Sequence, residues 1–387
     1  MNTHSPPLHP FQKEALFHFE RSTELHLLVI AGTGQGKSRI FQELVRGDLN
    51  CKLLLVSPLV ALARQHEENL MALGVPRTRF RVVSPESLTS ARCLATIKEW
   101  SPNLLVIDEC HCIWEWGEGF RPSFLKLPHL VRTLAIRKSL WLTATLPRAA
   151  RRELHSLLQA QGVTLKEMGS FRFPTQLTLQ VHAIGGQQRL QALIELSRHL
   201  QGPGILFAWT RQNAERLSQL FAAAGIQSAS YHAGYSKEER QALEGLLRTG
   251  KIKVMTATSA FGMGMDFQAL RWVVIAGAPP SLLSLAQALG RVGRQGKDGR
   301  AFVLWREEDF QPWVFMSGQS TRKIQAIRET LQFLQDPRGD RIRVLEKYFN
   351  EEGLPEPSNS LTSNPPPTGF APGLRAERTV NKLLRSP

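Results

Sequence analysis

Leu27-Leu28-Val29-Ile30-Ala31-Gly32-Thr33-Gly34-Gln35-Gly36-Lys37-Ser38 decides how this chain folds. An apolar run of strand length, Leu27–Ile30, passes directly into a glycine-rich turn and then into a helical pattern, Ser38–Val45. Glycines let the backbone wrap a phosphate, so that amide N–H groups and the helix N-terminus face its negative charge. In such a loop Thr33, Gly34 and Gly36 line the phosphates, Lys37 reaches the β- and γ-phosphates of ATP, and Ser38 holds Mg²⁺. The strict P-loop spelling wants glycine where Ala31 stands, so the pattern departs by one residue. The Gly-x-Gly-Lys-Ser core between strand and helix remains.

A phosphate site of this kind needs a carboxylate at the end of another buried strand. Leu104-Leu105-Val106-Ile107-Asp108-Glu109 supplies it: Asp108 to bind Mg²⁺, Glu109 to activate the attacking water. Two acids after an apolar strand are often a solvated turn, but here they follow a P-loop in the same domain. Cys110-His111-Cys112 suits zinc by ligand type. Ligands so tightly spaced need a second pair, and neither Cys51 nor Cys93 comes as one, so His111 is read as coupling the carboxylates to the neighbouring domain. Gln287-Ala288-Leu289-Gly290-Arg291-Val292-Gly293-Arg294 offers positive charge from the second half of the chain. Two arginines three apart can straddle a γ-phosphate and neutralise transition-state charge, with Gln287 beside them.

Outward from these stretches, short apolar runs alternate with amphipathic ones, the pattern of βαβ units and a parallel sheet. The first half predicts strands at Leu27–Ile30, Leu53–Val56, Phe80–Val83, Leu104–Ile107 and Leu140–Leu142, with helices over Leu59–Leu73 and Arg148–Gln159. After a break at Gly169–Pro174, strands recur near Leu177–Val181, Ile205–Ala208, Ser228–Tyr231, Val254–Thr256, Trp272–Ile275 and Ala301–Leu304. The expected division is 1–170 and 171–305 as two α/β domains, 306–350 as a small helical subdomain, and 351–387 as a flexible, Pro-rich, basic tail.

The 387 residues are 42% hydrophobic and 21% charged, a globular composition. A net charge of +15 favours a polyanionic partner, nucleic acid before acidic membrane. Four cysteines, Cys51, Cys93, Cys110 and Cys112, are too few for a disulfide scaffold. Met1–Pro10 lacks the basic and apolar regions of a signal peptide, and the apolar runs are too short to span a bilayer. The expected compartment is therefore reducing and cytoplasmic, with no membrane contact.

From about Leu8 to Phe349 these motifs resemble a superfamily 2 helicase, and within it the RecQ-type DNA helicases. The resemblance implies two tandem RecA-like parallel-sheet domains with ATP in the cleft between them. Leu8-His9-Pro10-Phe11-Gln12 resembles the segment whose glutamine reads adenine, which implies Gln12. Ser57-Pro58-Leu59 and Ser84-Pro85-Glu86 resemble the motifs that touch the DNA backbone, and Leu142-Thr143-Ala144-Thr145 the one linking hydrolysis to DNA. Tyr231-His232-Ala233-Gly234 and Ala257–Asp266 match second-domain motifs, implying His232 and Thr258 for DNA and Asp266 for the nucleotide. Arg294 falls at the family's arginine finger. His111–Pro122 resembles the aromatic-rich loop peculiar to RecQ helicases. Trp114, Trp116 and Phe120 are placed to stack on bases, and Arg121 to pair with a phosphate or a carboxylate. Thr210 and Arg211 complete the DNA candidates.

The chain departs from the family in having no cysteine beyond Cys112, so no structural zinc is expected where the zinc-binding subdomain would lie, roughly 339–364. Winged-helix and further C-terminal domains have no room in this length, and Ala288, Leu289 and Gln295 replace more polar or acidic residues of the last motif. The expected activity is ATP- and Mg²⁺-dependent 3′–5′ movement on single-stranded DNA and unwinding of tailed or forked duplex, in repair or recombination. No protein partner is implied. An RNA helicase, or a DNA-binding subunit of a repair or defence complex with weak ATPase activity, are the alternatives.

Overall fold

The computed structural model describes residues 7–32, 34–117, 121–261, 270–336 and 340–351. Thr33, Phe120, Asp266 and nearly all of the expected tail lie outside the described residues. The chain divides into two compact units: Met1–Arg172 with Phe349–Glu352, and Phe173–Tyr348 with Gly353–Pro387.

The first unit opens with α1 (Pro10–Arg21), whose proline occupies the first turn, where its missing N–H has no helical partner to lose. Strands β1 (Leu25–Ile30), β2 (Leu53–Val56), β3 (Phe80–Val83), β4 (Leu104–Ile107), β5 (Lys138–Thr143) and β6 (Leu165–Gly169) form one sheet in the order β3-β2-β4-β5-β1-β6, every pairing parallel. β1, β2 and β4 are buried along their whole length, as strands covered on both faces must be. The connections carry α2 (Arg39–Gly47), α3 (Val60–Ala72), α4 (Ala91–Trp100), α5 (Cys112–Trp116), α6 (Leu130–Thr133) and α7 (Arg148–Gln159). Ala15 and Phe19 of α1 and Ile40, Phe41 and Val45 of α2 pack with Leu27, Val29, Leu53, Leu55, Val106 and Leu140 into the core. Burying side chains of this size contributes about 1.5–3 kcal/mol each, before the entropy of ordering them.

The second unit repeats the plan. β7 (Leu177–Ala183), β8 (Gly204–Phe207), β9 (Ser228–Tyr231), β10 (Val254–Ala257), β11 (Trp272–Ala276) and β12 (Gly299–Trp305) pair in parallel in the order β7-β12-β11-β8-β10-β9. Around them lie α8 (Gly186–His199), α9 (Arg211–Ala223), α10 (Lys237–Arg248) and α11 (Leu282–Leu289). Leu193 and Leu196 of α8 and Phe221 of α9 close on Leu206, Trp272, Val274 and Phe302. Beyond β12 the chain is helical: α12 (Gln311–Ser317), α13 (Thr321–Gln335) and α14 (Arg341–Asn350).

In the first unit, the helices α1, α4, α5 and α6 and the strand β6 were not anticipated from the sequence. Among the described residues, no helix is long and apolar enough to cross a membrane.

Candidate active site

Because every pairing in the first sheet is parallel, all its strands end on one edge. The P-loop follows β1, Ser57 follows β2, Ser84 follows β3, Asp108 follows β4, and Thr143 closes β5. The step from β1 to β2 passes over β5 and β4, and ligands in open parallel sheets bind at such switch points, outside the carboxyl ends.

The loop has the form a phosphate requires. Gly34 and Gly36 take φ of +82° and +73°, which glycine adopts without steric cost. Nothing lies within 4 Å of where a Cβ on Gly34 would stand, so that side of the backbone is open. Lys37 Nζ donates to Ala31 O at 2.9 Å and to Gly32 O at 3.4 Å, which holds the ammonium over the loop. Ser38 precedes α2, and its side chain does not cap the helix. Gln12 is buried and ties the N-terminal segment to the loop, donating from Nε2 to Gly36 O at 2.8 Å and Gln35 O at 3.2 Å. Its Oε1 accepts from His9 N–H at 2.8 Å.

Asp108 is buried at the end of β4, where its Oδ2 lies 2.8 Å from His66 Nε2. A carboxylate only accepts, so His66 carries its proton on Nε2. His66 was not anticipated. The available signal was its position between Leu62 and Leu70 on the buried stripe of α3, a polar residue where the helix is otherwise apolar. Glu109 accommodates the turn with φ +49°, rare for a residue with a side chain and frequent at functional sites. Its Oε2 lies 3.2 Å from His111 Nδ1, which also faces Thr143 Oγ1 at 3.0 Å. The Thr143 hydroxyl donates onward to Thr145 O at 2.9 Å, so it accepts from His111, whose proton therefore sits on Nδ1. Burial alone would lower the His111 pKa. The hydrogen bond and charge of Glu109, with the charge of Glu115, outweigh it and hold the pKa above the ordinary value. Burial pushes Cys110 and Cys112 well above the usual thiol range. The donor set fits the chemistry of Mg²⁺: Ser38 and Asp108 offer the oxygens that this ion takes.

The aromatic segment corrects the sequence expectation. Cys112–Trp116 is the helix α5 rather than a loop, and Trp114 is only 9% exposed. Its indole N–H donates to Glu153 Oε2 at 2.8 Å, so Trp114 packs inside the unit instead of presenting a face to bases. Trp116 is half-buried, edge-on to Phe124 at 5.7 Å and beneath the Arg121 guanidinium at 5.3 Å. Of the two partners expected for Arg121, the structure gives the carboxylate. Nε and Nη2 donate to the two oxygens of Glu86 at 2.6 and 2.7 Å, and Nη1 to Pro58 O at 2.7 Å. Those bonds lower the Glu86 carboxyl to about 2. This clasp joins the Ser57-Pro58 and Ser84-Pro85-Glu86 segments to the end of the aromatic stretch. Ser57 is a second correction: it is 1% exposed and its hydroxyl has no partner, so it lies beneath the surface where a DNA phosphate would bind. Ser84 is half-buried and accepts from Ser87 N–H at 3.3 Å.

In the second unit the candidates again follow strand ends: Thr210 and Arg211 after β8, His232 after β9, Thr258 after β10. Thr210 is exposed and caps α9, accepting from Asn213 N–H at 3.2 Å, with Arg211 exposed beside it. A helix N-terminus with an arginine on its first turn suits a phosphate. His232 is buried, paired with Glu215 at 2.8 Å and stacked on Tyr235 at 4.3 Å, so it positions its neighbours rather than facing outward. Thr258 is half-buried. Gln287 lies on α11; Arg291 and Arg294 follow it, and Arg294 Nε donates to Gly290 O at 3.0 Å.

Residues 188–296 match a family model described as the Helicase conserved C-terminal domain. The ATP-dependent DNA helicase RecQ of Synechocystis is 30% identical over 358 residues, covering 84% of this chain and 72% of that protein. The probable ATP-dependent DNA helicase RecS of Bacillus subtilis is 30% identical over 302 residues, 72% of this chain but 60% of that protein. Among solved structures, the Mycobacterium smegmatis helicase Lhr bound to ssDNA and AMP-PNP superposes with a TM-score of 0.60 at 22% identity, over 85% of this chain and 48% of that one. Saccharomyces cerevisiae Dbp5 bound to RNA and ADP BeF3 gives 0.59 at 16% identity, over 86% and 93%. At these identities the likeness is one of fold: two RecA-like parallel-sheet units.

Proposed function

The chain belongs to the RecQ family of ATP-dependent DNA helicases, and from that premise we propose that it hydrolyses ATP to move 3′–5′ along single-stranded DNA and to unwind tailed or forked duplex. One observation carries the reading: the P-loop lysine and the Asp108–Glu109 pair follow neighbouring regions of one sheet and share its carboxyl edge. Lys37 exchanges its carbonyl partners for the β- and γ-phosphates, and Gln12 reads the adenine. Ser38 and Asp108 hold Mg²⁺, which supplies neutralising charge at the phosphates. Glu109 takes the proton of the attacking water, and Arg291 and Arg294, with Gln287, supply charge to the transition state. Thr33 and Asp266 complete the nucleotide candidates.

His111 bridges Glu109 and Thr143, so the hydrolytic carboxylate is bonded to the segment proposed to report on DNA. Ser84, Trp116, Thr210, Arg211 and Thr258 are the proposed DNA contacts, largely to phosphate and sugar, which makes binding tolerant of sequence. Repair or recombination is the proposed setting. The test compares ATP turnover with single-stranded DNA, with RNA of the same sequence and with neither. The reading expects strong stimulation by DNA, lost in Glu109→Gln; equal stimulation by RNA would move the substrate to RNA, and turnover unchanged in Glu109→Gln would remove the site.

A further inference from the structure

We propose that His111, Cys112 and Glu115 form a site for a thiophilic divalent cation, Zn²⁺ or Cd²⁺, whose binding shuts down ATP hydrolysis. The three side chains converge through one ligand atom each, all within 4.8 Å of one another. His111 Nε2 lies 3.5 Å from Cys112 Sγ and 3.8 Å from Glu115 Oε2. Tetrahedral zinc, with bonds of about 2.3 Å to sulfur and about 2.0 Å to nitrogen, sets the N···S edge at about 3.5 Å. The structure therefore already holds the His111–Cys112 edge of the tetrahedron, and the Glu115 carboxylate, 3.8 Å from Nε2 and within 4.8 Å of the thiol, moves inward to complete the site.

Local backbone geometry produces this arrangement. His111 immediately precedes α5, and Glu115 stands one helical turn on, at i+4, where side chains share a face. Nδ1 of His111 is engaged by Glu109 and Thr143, so Nε2, on the Cys112–Glu115 side, is the nitrogen a cation would take in exchange for any proton it carries. A carboxylate behind a ligating histidine is the outer-shell arrangement that orients imidazole on metal. The thiol excludes Mg²⁺, a hard cation that takes oxygen, so this place is chemically distinct from the Ser38–Asp108 pair. Cys112 and His111 are buried while the Glu115 side chain is 18% exposed, which opens one side for entry and for a water as fourth ligand. On binding, the Cys112 proton and any proton on His111 Nε2 pass to solvent. Cys110, adjacent in sequence, does not share in the convergence; its backbone N–H bonds Leu142 O.

Inhibition rests on the proposed role of Glu109. A cation on Nε2 fixes His111 against Glu109 and places positive charge beside it, which lowers its capacity to take a proton from water. It also locks the His111–Thr143 bond.

The test adds Cd²⁺ to the full chain in Mg²⁺ buffer, following the ultraviolet thiolate-to-cadmium charge-transfer band and DNA-stimulated ATP turnover together. The expected result is one equivalent bound, a band, turnover down at least tenfold, and recovery with a heavy-metal chelator that spares Mg²⁺. Cys112→Ser should lose the band and Cys110→Ser should keep it. Glu115→Gln should keep metal-free turnover and weaken Cd²⁺ binding roughly 10–100-fold, which serves as the test where a buried cysteine variant does not fold. A band retained in Cys112→Ser, unchanged affinity in Glu115→Gln, or no band in the wild type overturns the site. A band with no effect on normal turnover overturns the inhibition. A band in a protein without turnover supports the site and overturns the ATPase reading instead.

Discussion

Lys37 Nζ, 2.9 Å from Ala31 O, is the charge proposed to reach the nucleotide phosphates at the P-loop. Replacing it with alanine should lower DNA-stimulated ATP turnover by ~10²-fold or more, the scale for losing one positioned group that stabilises transition-state charge. The melting temperature should move little, since Lys37 is not among the buried residues of the core. Glu86 makes a different prediction, one of pH. Its carboxyl is lowered to about 2 by the Arg121 guanidinium, with solvent screening limiting the effect because the side chain is 47% exposed. A carboxyl lowered on folding stabilises above its unfolded pKa, and that contribution disappears as pH falls through the folded value. The melting-temperature gap between wild type and Glu86→Gln should thus be widest near neutrality and close between pH of about 4.5 and about 2. A gap independent of pH would mean that the clasp is held by packing rather than charge.

At the level of elements, the glycine between the two arginines sets their spacing. Gly293 takes φ +73°, and a Cβ there would stand 3.3 Å from Pro174 Cβ. Gly293→Ala should cost about 1–3 kcal/mol, lower the melting temperature by several degrees and reduce turnover by displacing Arg294, which thermal melts and kinetics would show together. The strands themselves were legible in the sequence, and for one reason. β1, β2, β4, β8, β10 and β11 are buried almost throughout, so each reads as an apolar run, interrupted only by His26 in β1 and Thr256 in β10. β6 was not legible, because an edge strand with Lys166, Glu167 and one fully buried residue, Leu165, carries no such run. The P-loop, Asp108 and Glu109 were legible from local spelling. His66 was not, since it meets Asp108 only through folding, and Trp114 was misplaced because the nearby glycines suggested a loop where α5 turns its indole toward Glu153.

Across the whole molecule, a net charge of +15 on 387 residues suits the proposed tracking of DNA phosphates. Each neutralised phosphate on a single strand adds about −0.7 to the slope of log affinity against log salt. About five contacts make apparent DNA affinity fall roughly a hundredfold between about 50 and about 200 mM salt. An affinity flat across that range would assign the charge to something other than DNA. The cysteines all lie at or before Cys112, and the one cluster of thiol, imidazole and carboxylate ligands among the described residues sits beside Glu109. The central claim is directional, ATP-driven movement on DNA, and strand displacement tests it most directly. With ATP and Mg²⁺, a 3′-tailed duplex should be unwound, whereas a 5′-tailed duplex, or the Lys37→Ala variant on either, should yield none. Unwinding of the 5′-tailed duplex alone, or displacement that Lys37→Ala performs equally well, would contradict it.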